Sequence, residues 1–219
     1  MTTVAIVSGG LDSVTMAHVL TRQGHKVDCL SFDYGQRHNK ELQFAQQAAS
    51  DIGGRWDLID LRSLTKHIGG SSLTDDIAVP DGHYAHETMK ITVVPNRNAI
   101  MLAIAGGVAV ARKAEAVAIA VHTGDHFIYP DCRPEFIAAF WFMQNLAIEG
   151  FGEVCLFAPF IGITKSDIVA KGNTAGVNFK QTWSCYKGGE IHCGTCGTCV
   201  ERKEAFALAR IDDPTIYLG

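Results

Sequence analysis

Short apolar runs alternate with helix-period stretches along most of this chain, and that alternation leaves few folds open. Residues 4–7, 26–32, 55–61, 116–121 and 153–157 read as strands. The first of them, Val4-Ala5-Ile6-Val7, is apolar throughout, as in a strand buried on both faces. Residues 13–20, 40–52, 97–113, 134–149 and 164–175 read as helices. The punctuation agrees: Gly53-Gly54 follows the second helix as a C-cap, Pro134 opens the fourth, and Thr164 stands as N-cap of the fifth. Strands separated by helices argue an α/β fold with a doubly wound parallel sheet. At 219 residues, 47% of them apolar, the chain fills one such domain. We expect an α/β unit over 1–180 and a C-terminal segment, 181–219, packed on it. Residues 61–91 hold Gly, Ser, Asp and Pro clusters with little periodicity and read as a lid-like loop, mobile until a substrate binds.

The first strand stops abruptly at Ser8-Gly9-Gly10-Leu11-Asp12-Ser13, and a helix follows at once. Strand, glycine-rich turn and helix N-terminus make an anion site from backbone N–H groups and the helix dipole. Gly9 and Gly10 let backbone approach an anion and permit positive φ. Ser8 and Ser13 add hydroxyls. Asp12 would repel a bare phosphate, so it points to a bound Mg²⁺ or to helix capping. The spacing matches neither GxxxxGK[ST] nor GxGxxG. The hexapeptide resembles the signature of the PP-loop ATP pyrophosphatases. That resemblance implies a loop, Val7 to Ser13, holding the pyrophosphate of ATP while a substrate oxygen attacks the α-phosphate.

Net charge is −4, so no global basic field draws in nucleic acid. Apolar stretches such as 100–111 are broken before ~18 residues, so no membrane span is expected. The chain enters its first strand without a signal-type region, and a cytoplasmic protein is expected. Of its seven cysteines, Cys185, Cys193, Cys196 and Cys199 cluster in overlapping CxxC steps. Four thiolates suit a structural, tetrahedral Zn²⁺. A 4Fe–4S cluster is the rival, less favoured because nothing else in the chain suggests redox chemistry. His192 offers a substitute ligand, but four thiols suffice.

Polar residues at the carboxyl ends of strands face the ligand crevice of such sheets. Gln36, Arg37 and His38 are therefore candidates to touch nucleotide or substrate. Arg97 and Asn98 open a helix where an anion would sit. Between Pro130 and Pro134, and just beyond, Asp131, Arg133 and Glu135 suit a preorganised pocket, with Asp131 or Glu135 accepting from the N–H edge of a purine. Cys132 reads as a lining residue rather than a nucleophile, since no base is placed beside it. Lys165, in the first turn of a helix, is unfavourable to the dipole unless an anion is present.

Taken together, SGGLDS (8–13), FDYGQRH (32–38), VPNRN (94–98), YPDCRPEF (129–136), KSDI (165–168) and TWSCYKGGEIHCGTCGTC (182–199) resemble one family, the 7-cyano-7-deazaguanine synthases of the 7-deazaguanine pathway to queuosine. Members commonly carry Gly where this chain has Asn96, and Asn with a Ser-Gly pair where it has residues 124–128. The resemblance implies a Rossmann-like fold of the adenine nucleotide alpha hydrolase type, a zinc on the four cysteines, and a homodimer. It also implies conversion of 7-carboxy-7-deazaguanine and ammonia to the 7-cyano compound at the expense of ATP with Mg²⁺. On that reading Asp12, Ser13, Lys165 and Arg97 act in catalysis. Val7 to Ser13 with Gln36 and Arg37 hold ATP, and Tyr34, Asp131, Arg133 and Glu135 hold the substrate. The alternatives are a related adenylating enzyme acting on another deazaguanine acceptor or a tRNA base, and a non-catalytic zinc-binding regulator. The zinc segment lacks the flanking basic and stacking residues of a nucleic-acid module.

Overall fold

The computed structural model describes residues 1–36, 40–83 and 87–218. Five parallel strands form one sheet: β1 (Thr2–Ile6), β2 (Lys26–Asp33), β3 (Trp56–Asp60), β4 (Ala116–Ala118) and β5 (Cys155–Phe157). Their order is β3-β2-β1-β4-β5. Strand order reverses between β1 and β4, and that switch point is where ligands enter open α/β sheets. Among the described residues seven α-helices accompany them: α1 (Leu11–Arg22), α2 (Lys40–Asp51), α3 (Arg62–Thr65), α4 (Arg97–Arg112), α5 (Pro134–Ala147), α6 (Lys165–Ala175) and α7 (Gly197–Ala209).

The central strand is buried on both sides, as its unbroken apolar run demands. Val4 and Ile6 face a core completed by α4 and α5, through Met101, Leu102, Ala105 and Phe140. Ala5 and Val7 face the opposite core of α1, α2, α6 and α7, with Met16, Ala45, Ile168 and Phe206. Each fully buried side chain of that kind contributes about 1.5–3 kcal/mol. Residues 89–112 are long and apolar enough to cross a membrane by length and composition alone; here α4 lays its buried face on this sheet. Gly172 lets α6 close on its neighbours, since a Cβ there would stand 2.9 Å from the Thr15 hydroxyl of α1.

Local signals hold where they are strongest. Thr164 caps α6 through the Asp167 N–H, and the Asp167 carboxylate returns to the Thr164 N–H at 2.9 Å. Asn96, ahead of α4, takes the left-handed conformation (φ +60°) that Gly or Asn tolerate. Two expectations shift. The ladder of β4 ends at Ala118, and residues 119–121 run on beyond it to border a cavity. The C-terminal segment contains a full helix, α7, which packs against α6 and carries its own buried Arg202. Its first residues are shared with the cysteine cluster, which hid its apolar face from the periodicity.

Within 61–83 the chain has only the single turn of α3 and irregular loops. It nevertheless lies against the body: Ser71, Ser72, Leu73 and Val79 are buried. Gly82 N–H donates to the Thr195 carbonyl (3.1 Å), and Lys187 Nζ pairs with Asp81 Oδ1 (2.5 Å). The segment is thus tied to the cysteine-bearing tail.

Candidate active site

The loop after β1 is built to leave donors open. Gly10 is the N-cap of α1 and offers no side-chain cap, so the first-turn N–H groups face outward without competition. Ser8 and Ser13 brace the turn: the Ser8 N–H donates to Ser13 Oγ (3.1 Å), and the two hydroxyls meet at 3.1 Å. Gly9 has φ +93°, and a Cβ there would stand 2.0 Å from the Glu41 carbonyl oxygen. Close packing of α2 therefore requires this glycine, not only approach of an anion. The Gly9 carbonyl accepts from the Trp183 N–H (2.9 Å), which docks the C-terminal segment on the loop.

Asp12 does not cap its helix. Its Oδ2 lies 3.2 Å from Lys165 Nζ, which in turn meets Glu201 Oε2 at 2.7 Å. Burial pulls the Lys165 ammonium down, and the two carboxylates more than offset it, leaving it well above its ordinary value. Burial pushes the Glu201 carboxyl up against the pull of Lys165. His122, buried at the end of the β4 segment, takes the Gly124 N–H on Nδ1 (3.1 Å), so its Nε2 carries the hydrogen. That Nε2 stands 3.8 Å from Asp12 Oδ2 and 3.6 Å from Asp125 Oδ2, without a hydrogen-bond partner among the described residues. Asp12 Oδ1 is likewise buried and unpartnered. An orphan carboxylate oxygen beside a turn with uncapped N–H groups fits a hard divalent cation carrying phosphate.

These groups open on a cavity of about 230 Å³ at the switch point. Val7, Ser8, Gly10, Leu11, Asp12, Ser13 and Lys165 form one part of its wall, and Tyr34, Glu41, Arg97, Tyr129, Cys132 and Tyr186 another. Arg97 donates to the Tyr34 hydroxyl at 3.5 Å. Burial raises the Glu41 carboxyl to about 7 against the pull of Arg97 and a hydrogen bond from Gln36.

Several residues singled out by sequence lie elsewhere. Asp131 Oδ2 accepts the Asn98 N–H (2.9 Å), so a carboxylate of this chain already occupies that first-turn donor of α4. Arg133 and Glu135 are exposed, and Arg133 Nε donates to the His126 carbonyl (2.9 Å). None of the three borders the cavity. Gln36 is turned back to accept from the Tyr34 N–H (2.9 Å) and to donate to Glu41 Oε1 (3.3 Å), bracing the wall from behind. Arg37 and His38 fall outside the described residues. Cys132 does border the cavity, but burial pushes its thiol up, away from a reactive thiolate. Conversely, Glu41, His122, Glu201 and Tyr186 escaped the sequence reading. Glu41 alone had a usable signal, an acidic residue in the first turn of the helix that follows β2.

The four cysteines converge. The sulfurs of Cys185, Cys193, Cys196 and Cys199 all lie within 4.8 Å of one another, with Cys193 and Cys199 at 3.9 Å. Tetrahedral ligation at Zn–S of ~2.3 Å sets sulfurs roughly 3.8 Å apart. Backbone N–H groups of Cys193 and Cys196 point at the sulfurs of Cys185 (3.4 Å) and Cys193 (3.3 Å), as thiolates require. The donor set therefore fits a metal. His192 is not part of it: Nε2 accepts the Ser184 N–H (3.1 Å), and burial lowers the ring to about 4.

Comparison with known proteins agrees with this architecture. A predicted subunit of a tRNA methyltransferase from Methanocaldococcus jannaschii superposes with a TM-score of 0.51 over 79% of this chain and 74% of that one, at 14% identity. That likeness concerns the fold alone. The 7-cyano-7-deazaguanine synthase of Sinorhizobium fredii is 61% identical over 217 residues, 99% of this chain and 92% of the relative. That of Brucella ovis is 62% identical over 99% of this chain and 94% of its own length. Residues 2–210 match the sequence model of the queuosine biosynthesis protein QueC family, and the chain belongs to that family.

Proposed function

We propose that this protein is an ATP-dependent carbon–nitrogen ligase that converts 7-carboxy-7-deazaguanine and ammonia to 7-cyano-7-deazaguanine. The observation that carries the reading is near-full-length identity above 60% with enzymes of that name, in a chain whose SGGLDS turn opens on one cavity at the sheet's switch point.

The chemistry explains why such a site is needed. A carboxylate is a poor electrophile and its oxygen a poor leaving group. Attack of that oxygen on the α-phosphate expels pyrophosphate and forms an acyl adenylate. Ammonia attacks the carbonyl carbon, AMP departs with the C–O electron pair, and a proton is lost to give the amide. A second adenylation on the amide oxygen lets that oxygen leave in turn, and loss of the remaining N–H protons forms the nitrile. Each step moves charge onto phosphate, so fixed donors and cations do the work. The first-turn N–H groups of Leu11, Asp12 and Ser13 would receive the pyrophosphate, with the Ser8 and Ser13 hydroxyls keeping the turn in shape. Lys165 and Arg97 would supply positive charge, and Tyr34 would border the substrate. Asp12 would hold Mg²⁺, which neutralises polyphosphate charge when bound. Zinc on Cys185, Cys193, Cys196 and Cys199 would be structural, because four protein ligands leave no open position. It would fix residues 181–219 on the 1–180 unit. Closure of 61–91 would shield the adenylate from water.

We read the protein as cytoplasmic, acting on small molecules rather than nucleic acid, and as a homodimer. The exposed apolar side chains of α5, Trp141, Phe142, Met143 and Leu146, support a partner copy.

The test is incubation with ATP, Mg²⁺, ammonium and 7-carboxy-7-deazaguanine, with mass spectrometry of the products. The amide and then the nitrile are expected. Absence of both from metal-loaded protein rejects the reading in favour of another adenylating activity. Asp12→Ala should abolish turnover while zinc content stays unchanged.

A further inference from the structure

A deazaguanine presents two N–H donors, from N1 and the 2-amino group, along one edge of its six-membered ring. A carboxylate offers two oxygens at matching spacing, which makes it the complementary acceptor. The carboxylates bordering the cavity are those of Asp12, Asp125 and Glu41. Asp12 is engaged by Lys165, and Asp125 lies against His122 in the same ionic cluster. Asp131 caps α4, and Glu135 is exposed.

Glu41 differs from all of these. It projects from the first turn of α2, whose backbone is held against Gly9. Its carboxylate accepts one hydrogen bond among the described residues, from Gln36 Nε2 at 3.3 Å, leaving acceptor capacity unused. The Arg97 guanidinium attracts it without an ion-pair contact, and Tyr34 lies beside both. Arg97 itself sits among Tyr34, Tyr129 and Tyr186, an aromatic setting for a flat heterocycle.

We propose that Glu41 is the specificity-determining residue that receives the N1–H and 2-amino edge of the 7-deazaguanine substrate. The inference rests on the proposed function and adds to it the group that selects a guanine-type ring. Gln36 keeps the carboxylate aimed. Arg97 holds it ionised enough to accept, since burial alone would favour the neutral acid. A ring lacking the 2-amino group would leave this cavity-lining carboxylate without one of the donors it is placed to meet, and such sites discriminate strongly.

Glu41→Gln keeps size but turns one acceptor into a donor facing a donor. Calorimetric titration of wild-type and Glu41→Gln protein with 7-carboxy-7-deazaguanine, and separately with ATP and Mg²⁺, tests the assignment. Metal content and circular dichroism monitor folding, and Glu41→Asp serves as a second variant that retains the acceptors. The expected result is roughly 30-fold or greater loss of affinity for the deazaguanine in Glu41→Gln, partial recovery in Glu41→Asp, and ATP affinity within about twofold of wild type. The analogue without the 2-amino group should bind wild-type protein weakly, and Glu41→Gln should lose little further on it. Equal losses for ATP and for the deazaguanine overturn the assignment, as does unchanged deazaguanine affinity in Glu41→Gln. Wild-type protein that fails to bind the deazaguanine at all overturns the proposed function, and this assignment with it.

Discussion

Replacing Lys165 with Met removes the one cation among the described residues that touches both Asp12 and Glu201, at 3.2 and 2.7 Å. The three side chains are only 13%, 23% and 14% exposed, so water screens them little. Two partly buried carboxylates, Asp12 with its orphaned Oδ1 and Glu201, would face each other without that counter-charge. Breaking a buried pair in this way costs about 3–5 kcal/mol, and we take about 3 for a site at the cavity rim. With a urea slope of about 1–3 kcal/mol/M, the unfolding midpoint should fall by roughly 1 M or more at pH 8. The deficit should depend on pH. Burial already raises the Glu201 carboxyl, and loss of Lys165 raises it further. A protonated Glu201 needs no counter-charge, so the deficit is full above that raised value and shrinks as pH falls through it. Urea titrations of wild type and Lys165→Met at pH 8 and pH 6 measure it, and adding Glu201→Gln to Lys165→Met should recover more than about 1 kcal/mol. An equal deficit at both values, or no recovery in the double variant, would show that the triad is not coupled as its geometry implies.

The two loop glycines should behave differently. Gly9→Ala meets the Glu41 carbonyl and a positive φ, so the melting temperature should drop by about 5 °C or more, whereas Gly10→Ala, with Ser8 Oγ at 3.3 Å and the Trp183 carbonyl at an ordinary 3.6 Å, should fold normally. Equal melting temperatures would remove the close-packing account of Gly9. Elemental analysis should find about one zinc per chain, lost in Cys199→Ser together with stability; iron and sulfide at the site would replace zinc with a cluster. Deazaguanine affinity should rise about tenfold between pH 6 and pH 8, because Glu41, raised to about 7, accepts only when ionised. Tyr34, Gln36 and Arg97 face the same carboxylate but do not titrate in that window, so Glu41→Gln should flatten the profile. A profile unchanged by that substitution would assign the dependence to another group.

The parts of this site that were legible in the sequence are those in which neighbours along the chain are also neighbours in space. The turn from Ser8 to Ser13 is one strand end and one helix start, so its residues carry their own geometry. The same holds for Thr164 and Asp167, three residues apart on one helical turn. Cys193, Cys196 and Cys199 stand in overlapping steps, with Cys185 eight residues earlier, and the structure brings the four sulfurs together. The segment YPDCRPEF shows the opposite case. Its polar side chains look alike as a string, yet Asp131 turns to the α4 N-terminus, Arg133 and Glu135 turn to solvent, and only Tyr129 and Cys132 border the cavity. Which way each points depends on where α4 and α5 meet β4, and periodicity carries no information about that.

Sequence by itself therefore determined the α/β class, the glycine-bearing strand-to-helix turn and the cysteine quartet whose sulfurs converge. Each follows from local backbone preference, hydrophobic period or ligand spacing. Only the tertiary structure decided the electrostatics. Lys165 meets Asp12 and Glu201 across 153 and 36 residues of chain because α1, α6 and α7 pack side by side, and Glu41 borders the cavity because Gly9 lets α2 close on the loop. Charges that far apart in sequence acquire their meaning from distance and burial, which exist only once the chain has folded.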